Sequence, residues 1–455
     1  MNNSELLYQK RNFFECMPEK KDAAYAYAKK YMDYLDRSKT EREAVAHTIA
    51  LAKAKGYTEY KLGDKLECGG KYYLNNRGKS LYLFNIGEDS PEKGIKILAA
   101  HIDSPRLDLK QRPLFEEGGM AFLKTHYYGG IRKYQWTAIP LALRGVVVKK
   151  DESVVDVMIG EDEGDPILYV NDLLPHLAKE QSEKPLATAI SGEQLNLLIG
   201  SEPEDGEKDA VKKNVMALLY EKYGICEDDF VSAELCAVPA LKAKDVGLDR
   251  SMIAAYGHDD KVCAFPSVTA LFETTNRAAT SMVVLADKEE TGSDGNTGMQ
   301  SRMLFDLIEE IAEQRGANPR LVRANSFCIS SDVTAAYDPN FAEVYEKANS
   351  AFLNCGVALS KYTGSRGKSG TSDASAETVG KIRRIFAEND VVWQSAELGK
   401  IDIGGGGTVA KYIANLNIDT IDIGVPVISM HAPYEVISKA DVYSAHVAFL
   451  AFLND

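Results

Sequence analysis

The apolar positions of this chain change their spacing as the sequence proceeds. Residues 20–56 place them at helical intervals among Lys, Glu and Ala and stop at Gly56, which predicts one or two amphipathic helices. A turn-rich stretch follows, LECGGKYYLNNRGKSLYLFNIG, where Asn-Arg-Gly between alternating apolar and polar residues predicts a hairpin. A different texture marks IKILAAH (95–101), SMVVLAD (281–287), SFCISSD (326–332), VVWQSAE (391–397) and TIDIGVPVISMH (420–431). These runs are apolar almost throughout, and helical stretches such as 262–277 and 297–315 separate them. Strands of that kind belong in a sheet covered on both faces, so the expected fold class is α/β, a three-layer sandwich with a mostly parallel sheet.

Between Pro105 and about Gly247 a two-residue alternation takes over, as in RGVVVKKDESVVDVMIG, and an acidic loop, GSEPEDGEK (200–208), falls inside this region. Alternation predicts antiparallel strands with one face in water. The expected organisation is therefore a discontinuous domain, 1–106 plus 248–455, interrupted by a β-rich insert, 107–247. No internal repeat or low-complexity tract is present.

Composition removes several function classes. Of 455 residues, 45% are apolar and 26% charged, the balance of an ordinary globular protein. A net charge of −14 leaves no basic footprint for a nucleic-acid partner. No window approaches the roughly 20 apolar residues that span a bilayer, so no membrane partner is expected. The start, MNNSELLYQKRNFFECMPEK, shows no secretory signal pattern. The seven scattered cysteines lack any C-x-x-C pair, which fits a reducing, cytoplasmic setting.

Candidate chemistry gathers where the apolar runs end. IKILAAH ends at His101, SFCISSD at Asp332 and VPVISMH at His431, while SMVVLAD runs into Glu289 and Glu290. AYGHDDKV sets Asp259 and Asp260 between a short apolar stretch and a helix. Each residue singly has a plain structural reading: a hydrogen-bonded histidine, a helix-capping aspartate, a solvated charge run. Their joint placement outside strand ends is where open α/β sheets bind ligands. Two histidines and three carboxylates also compose the ligand set of two Zn²⁺-like ions sharing a bridging carboxylate, roughly 3.5–4 Å apart. Asp103 follows His101 by two residues, so on a strand both side chains share a face, and its carboxylate can take the imidazole's other N–H. If Glu290 binds a metal, Glu289 is left to act as general base toward metal-held water, and the cations allow the adjacent carboxylates to coexist.

AAHIDSPRLDLK, GHDDKVCAF, DKEETGS, SSDVTAAYDPN, GGGGTV and ISMHAPYE, in this order, resemble the aspartyl aminopeptidase family of cocatalytic zinc metallopeptidases over essentially the whole chain. The resemblance implies an α/β catalytic domain with a β-rich insert serving oligomerisation and as a lid. It implies two divalent ions per chain, zinc first, with cobalt or manganese as alternatives. Asp259 would bridge them, His101 and Asp332 would hold one ion, Glu290 and His431 the other, and Glu289 would be the base. The implied activity removes N-terminal residues, acidic preferred and neutral also accepted, from peptides with a free N-terminus, in a tetrahedral homododecamer.

Two further segments carry the resemblance. NDLLPHLAKEQ implies that His176 reaches a neighbouring subunit's active site and helps stabilise the transition state there, against the plainer reading of a domain-interface histidine. GVALSKYTGSRGKSG implies a substrate side-chain pocket with Lys361 as its anion contact, against a solvated loop. The chain departs from eukaryotic members after Asp332, where Ala335, Ala336 and Asp338 stand in a stretch that carries histidines there. GGGGTV lacks the lysine of a phosphate-binding loop and predicts close backbone contact beside the metals. Two other functions remain open at this point. One is a dinuclear amidase or deacylase on N-acyl compounds, which would not need a free α-amine. The other is a non-catalytic assembly protein, which would have no need of the base.

Overall fold

The computed structural model describes residues 6–204 and 208–455; residues 205–207 of the acidic loop and the first five residues lie outside them. The chain forms two compact units, one from residues 1–103, 243–430 and 435–455, the other from 104–242 and 431–434.

In the first unit the helical spacing of residues 20–56 becomes two helices. Lys21–Asp36 buries Tyr27, Tyr31, Tyr34 and Leu35 along one stripe. Glu41–Ala54 starts at a capping box, with Thr40 Oγ1 accepting the Glu43 N–H while Glu43 accepts the Thr40 N–H. Strands Lys71–Asn76 and Ser80–Asn85 form the expected hairpin, paired as far as Asn76 and Ser80. Arg77 and Gly78 turn the chain at φ 61° and 68°.

Nine strands make the main sheet, in the order Thr58–Glu59, Lys71–Asn76, Ser80–Asn85, Ser281–Ala286, Lys96–His101, Phe327–Ser330, Asp419–Gly424, Val357–Ser360 and Trp393–Ser395. Its centre is parallel, Ser281–Ala286 beside Lys96–His101, then Phe327–Ser330, then Asp419–Gly424, which brings four carboxyl ends together. Alternate residues serve opposite faces. Ile97, Ala99, Met282, Val284 and Cys328 meet Leu304, Leu307, Ile308, Ile311 and Val322. Those partners come from helices Met303–Gln314 and Pro319–Asn325. Leu98, Ala100, Val283, Leu285 and Ile329 meet Tyr31, Phe265, Val268, Ala448 and Phe452. This second set comes from helices Lys21–Asp36, His258–Glu273 and Lys439–Asn454. Burial on both sides is why these strands carry no polar alternation. Each large aliphatic side chain so buried contributes roughly 1.5–3 kcal/mol.

TIDIGVPVISMH is not one strand. It divides at Val425, with Asp419–Gly424 in the main sheet and Pro426–Ile428 in a five-stranded sheet of the same unit. A Cβ on Gly424 would collide with the Asp332 carbonyl oxygen, and Pro426 brings no N–H to continue the ladder. His431 therefore lies beyond the strand, in a turn at φ 65°. The helix expected over 297–315 begins only at Met303, and the one expected over 262–277 spans His258–Glu273. Strand Val357–Ser360, four residues long, is not among the strands expected from the sequence. Helix Lys439–Asn454 is tied to the start of that strand by buried Asp441, whose two oxygens accept the Asn354 and Gly356 N–H groups at 2.8 Å each. Burial pushes the Asp441 carboxyl up to about 8, against the pull of those two bonds.

The second unit is built on a seven-stranded sheet, in the order Val154–Ile159, Leu141–Val148, Ala233–Pro239, Arg106–Glu117, Met120–Tyr128, Leu197–Gly200 and Tyr169–Val170. Every neighbouring pair in it is antiparallel. RGVVVKKDESVVDVMIG forms the pairing that ends at Val148 and Val154. The entering strand lies beside the leaving one, with Leu107 opposite Ala237 and Asp108 opposite Cys236. Helix Ala210–Tyr223 covers part of this sheet, laying Val211 and Val215 on Ala121.

Candidate metal centre

His101 ends its strand at the carboxyl edge of the parallel centre, opposite Ala286. Its Nε2 lies 3.1 Å from Asp259 Oδ1, 3.7 Å from Asp332 Oδ1 and 4.0 Å from Glu289 Oε2. Ligand atoms of His101, Glu289 and Asp332 all fall within 4.8 Å of one another, as do those of His101, Asp259 and Glu290. His101 is thus common to both groups.

Local backbone sets each member. Asp259 opens helix His258–Glu273 with non-helical torsions, φ −78° and ψ 107°, and its N–H donates to buried Glu435 at 3.1 Å. Beneath it, His258 Nδ1 accepts the Tyr31 hydroxyl at 2.8 Å, and Nε2–H donates to the Ile253 carbonyl at 3.2 Å. Burial holds the His258 ring neutral, with its pKa pushed down to about 3. Glu289 and Glu290 sit in a single turn, Glu289–Thr291, entered through Lys288 at φ 65°. Asp103 caps that turn, Oδ1 accepting the Glu289 N–H and Oδ2 the Glu290 N–H, both at 3.2 Å. Asp103 Oδ1 also lies 3.2 Å from His101 Nδ1. The His101 N–H donates to Asp260 Oδ2 at 3.3 Å.

The carboxyls in this cluster oppose one another. Burial, then the Asp332 charge, pushes Glu289 up to about 8, with His101 pulling the other way. Asp332 is raised by burial and by Asp259, again against His101. Burial alone would lower the His101 pKa, but hydrogen bonds to Asp103, Asp259 and Asp332 outweigh it and the ring is held well above its ordinary value. Crowded carboxyls that resist ionisation in a dry site are those a divalent cation would ionise. One imidazole among carboxylate oxygens is a donor set that zinc accepts. The residues fit a metal.

The other sequence-derived candidates stand elsewhere. His431 belongs to neither group; in the second unit its Nδ1 lies 2.8 Å from the Gly130 carbonyl. A carbonyl only accepts, so Nδ1 carries a proton, which in the neutral ring leaves the lone pair on Nε2. His176 is exposed on the turn Pro175–Leu177 of the second unit. Lys361 Nζ lies 2.5 Å from Asp373 Oδ1, and Lys368 Nζ 2.8 Å from Oδ2 of the same aspartate. This counter-ion was not foreseen. Of the four consecutive glycines, only Gly404 and Gly405 are crowded, against the Leu398 and Gly364 carbonyl oxygens, while Gly406 is open. Sequence reasoning also passed over His258 and Glu435, although GHDDKV and HAPYE carry both.

A buried imidazole and carboxylate cluster at the carboxyl end of a parallel sheet is a place where an α/β protein can hold a metal ion. A family model described as aminopeptidase I zinc metalloprotease (M18) matches residues 34–453. The probable M18 family aminopeptidase 1 of Clostridium acetobutylicum is 49% identical, covering 99% of this chain and all of that protein. The crystal structure of the M18 aminopeptidase from Thermotoga maritima superposes with a TM-score of 0.94 at 41% identity, over 98% of this chain and 100% of that one. Aminopeptidase I from C. acetobutylicum gives 0.92 at 45%, over 99% and 100%. The S. cerevisiae mApe1 dodecamer, 21% identical with a TM-score of 0.77 over 94% and 96% of the two chains, shares the fold. The chain belongs to the M18 family and is a zinc metalloaminopeptidase.

Proposed function

We propose that this aminopeptidase works with two zinc ions per chain, which cobalt or manganese can replace. His101 and Asp332 would hold one ion and Glu290 and His431 the other, with Asp259 shared between the two. When bound, the ions polarise the scissile carbonyl and make the attacking water acidic enough to lose its proton near neutral pH. Glu289 would be the group that accepts the attacking water's proton and returns it to the leaving amine. Asp103 orients the His101 ring and the turn that carries both glutamates. The observation supporting this reading is the convergence of Asp259, Glu289, Glu290 and Asp332 around His101.

The preferred first residue is acidic, with Lys361 as its cation and neutral residues as secondary substrates. In this reading 1–106 and 248–455 form a three-layer catalytic sandwich, and 107–247 is an inserted oligomerisation and lid domain of a cytoplasmic homododecamer. The dodecamer formed by the fold relative mApe1 supports that assembly. So do exposed Leu173, Leu174 and Leu177 around His176, which an interface would cover while His176 enters a neighbour's pocket.

The deciding experiment compares aminoacyl-anilides with free and N-acetylated amines, using chelator-stripped and zinc-restored enzyme. The expected result is about two zinc ions per chain by elemental analysis and cleavage of free-amine substrates alone. Cleavage of the acetylated series would favour a deacylase. Full activity without metal would remove the proposed centre.

A further inference from the structure

Asp422 is a buried carboxylate that the chemistry above leaves unused. It lies on strand Asp419–Gly424, in register with Ser330 of the neighbouring parallel strand. Ser330 Oγ donates to its Oδ1 at 2.9 Å, and Thr408 Oγ1 donates to the same oxygen at 2.7 Å. A carboxylate taken out of water is costly unless hydrogen bonds answer it, so its retention calls for a role.

The two donors come from segments of different character. Ser330 precedes Asp332 by two residues at the carboxyl end of the sheet. Thr408 directly follows Gly404–Gly407, a loop whose Gly405 and Gly406 pair antiparallel with Ser365 and Gly364. Gly405, Gly406 and Gly407 are exposed, and a Cβ on Gly406 would meet nothing within 4 Å. The loop therefore presents bare main chain, a surface suited to an extended peptide through backbone hydrogen bonds.

We propose that Asp422 is a positioning residue for substrate binding: through Thr408 it pins the Gly404–Gly407 loop to the strand end that leads to Asp332. This rests on the reading of Asp332 as a metal ligand. Glycine loses the most conformational freedom on ordering, so four in succession need an anchor if the loop is not to be ordered by each incoming substrate. The anchor acts on binding, and the base and metal ligands act on the chemical step.

Thr408→Val removes the hydroxyl and keeps the shape. It is expected to raise KM for an aminoacyl-anilide roughly tenfold, the scale of one buried hydrogen bond. It should leave kcat and bound zinc near wild type and speed amide hydrogen exchange across residues 404–409. Thr408→Ser should restore KM and exchange together. Unchanged KM and exchange in Thr408→Val would overturn the proposal, as would a loss confined to kcat and metal content. Zinc content of Asp332→Asn separately tests the ligand reading, since exchange reports on the anchor whether or not Asp332 binds metal.

Discussion

Asp103 Oδ1 stands 3.2 Å from His101 Nδ1, and the two carboxylate oxygens also hold the Glu289 and Glu290 N–H groups. One buried aspartate thus sets the His101 ring and the turn bearing both glutamates. Asp103→Asn is expected to lower zinc affinity or activity by roughly 10–100-fold, the usual effect of losing a metal ligand's outer partner. Isothermal zinc titration and steady-state rates on one preparation measure both, and wild-type values in both would contradict the role.

The paired glutamates should separate by substitution. Glu289→Gln is expected to keep wild-type zinc and lose roughly 10²–10⁴ in kcat, the contribution of a general base. Glu290→Gln should lose zinc as well as rate. If Glu289→Gln is the variant that loses metal, the two assignments must be exchanged.

Lys361 should discriminate between substrates. Charge-assisted hydrogen bonds of about 1.5–3 kcal/mol predict that Lys361→Ala lowers kcat/KM for Asp-anilide roughly tenfold or more relative to Leu-anilide. Asp373→Asn, which removes the counter-ion of Lys361 and Lys368, should shift the ratio the other way. An Asp/Leu ratio unmoved by either change makes the enzyme indifferent to this loop.

Asp441 should make stability fall with rising pH. Its carboxyl titrates near 3.8 in an unfolded chain and at about 8 when buried. Below the lower value both states carry the proton. Between the two only the native state does, so the unfolded chain binds fewer protons and stability declines as pH rises toward 8. Asp441→Asn should cost about 1–3 kcal/mol at pH 5 through its mismatched amide, and that deficit should shrink by pH 8. Calorimetry of both proteins across this range checks it; a constant gap would refute the shift.

The central sheet was legible because a strand buried on both faces has no polar alternation to hide it, as in Ser281–Ala286. His101, Asp259, the two glutamates and Asp332 were legible because they follow such runs. The break at Val425 was not, since neither the contact between Gly424 and Asp332 nor the change of sheet leaves a mark on apolar periodicity. The partnership of Lys361 and Asp373 escaped for another reason. They stand twelve positions apart, and nothing in one sequence distinguishes a charge facing water from one facing its neighbour.

The pairing of Leu107 with Ala237 bears on how the molecule assembles itself. Strands Lys96–His101 and Ser281–Ala286 must meet although residues 104–242 of the second unit intervene between them. Loop closure grows only logarithmically with length, about 0.6 kcal/mol per doubling, and a prefolded intervening segment shortens the effective loop further. Once Leu107 and Asp108 face Ala237 and Cys236, the segment between them acts as a closed staple, and the ends it releases emerge on adjacent strands. The order of events during refolding should follow, with protection of the Leu107–Ala237 ladder preceding that of the Lys96–His101 strand in pulse-labelled hydrogen exchange.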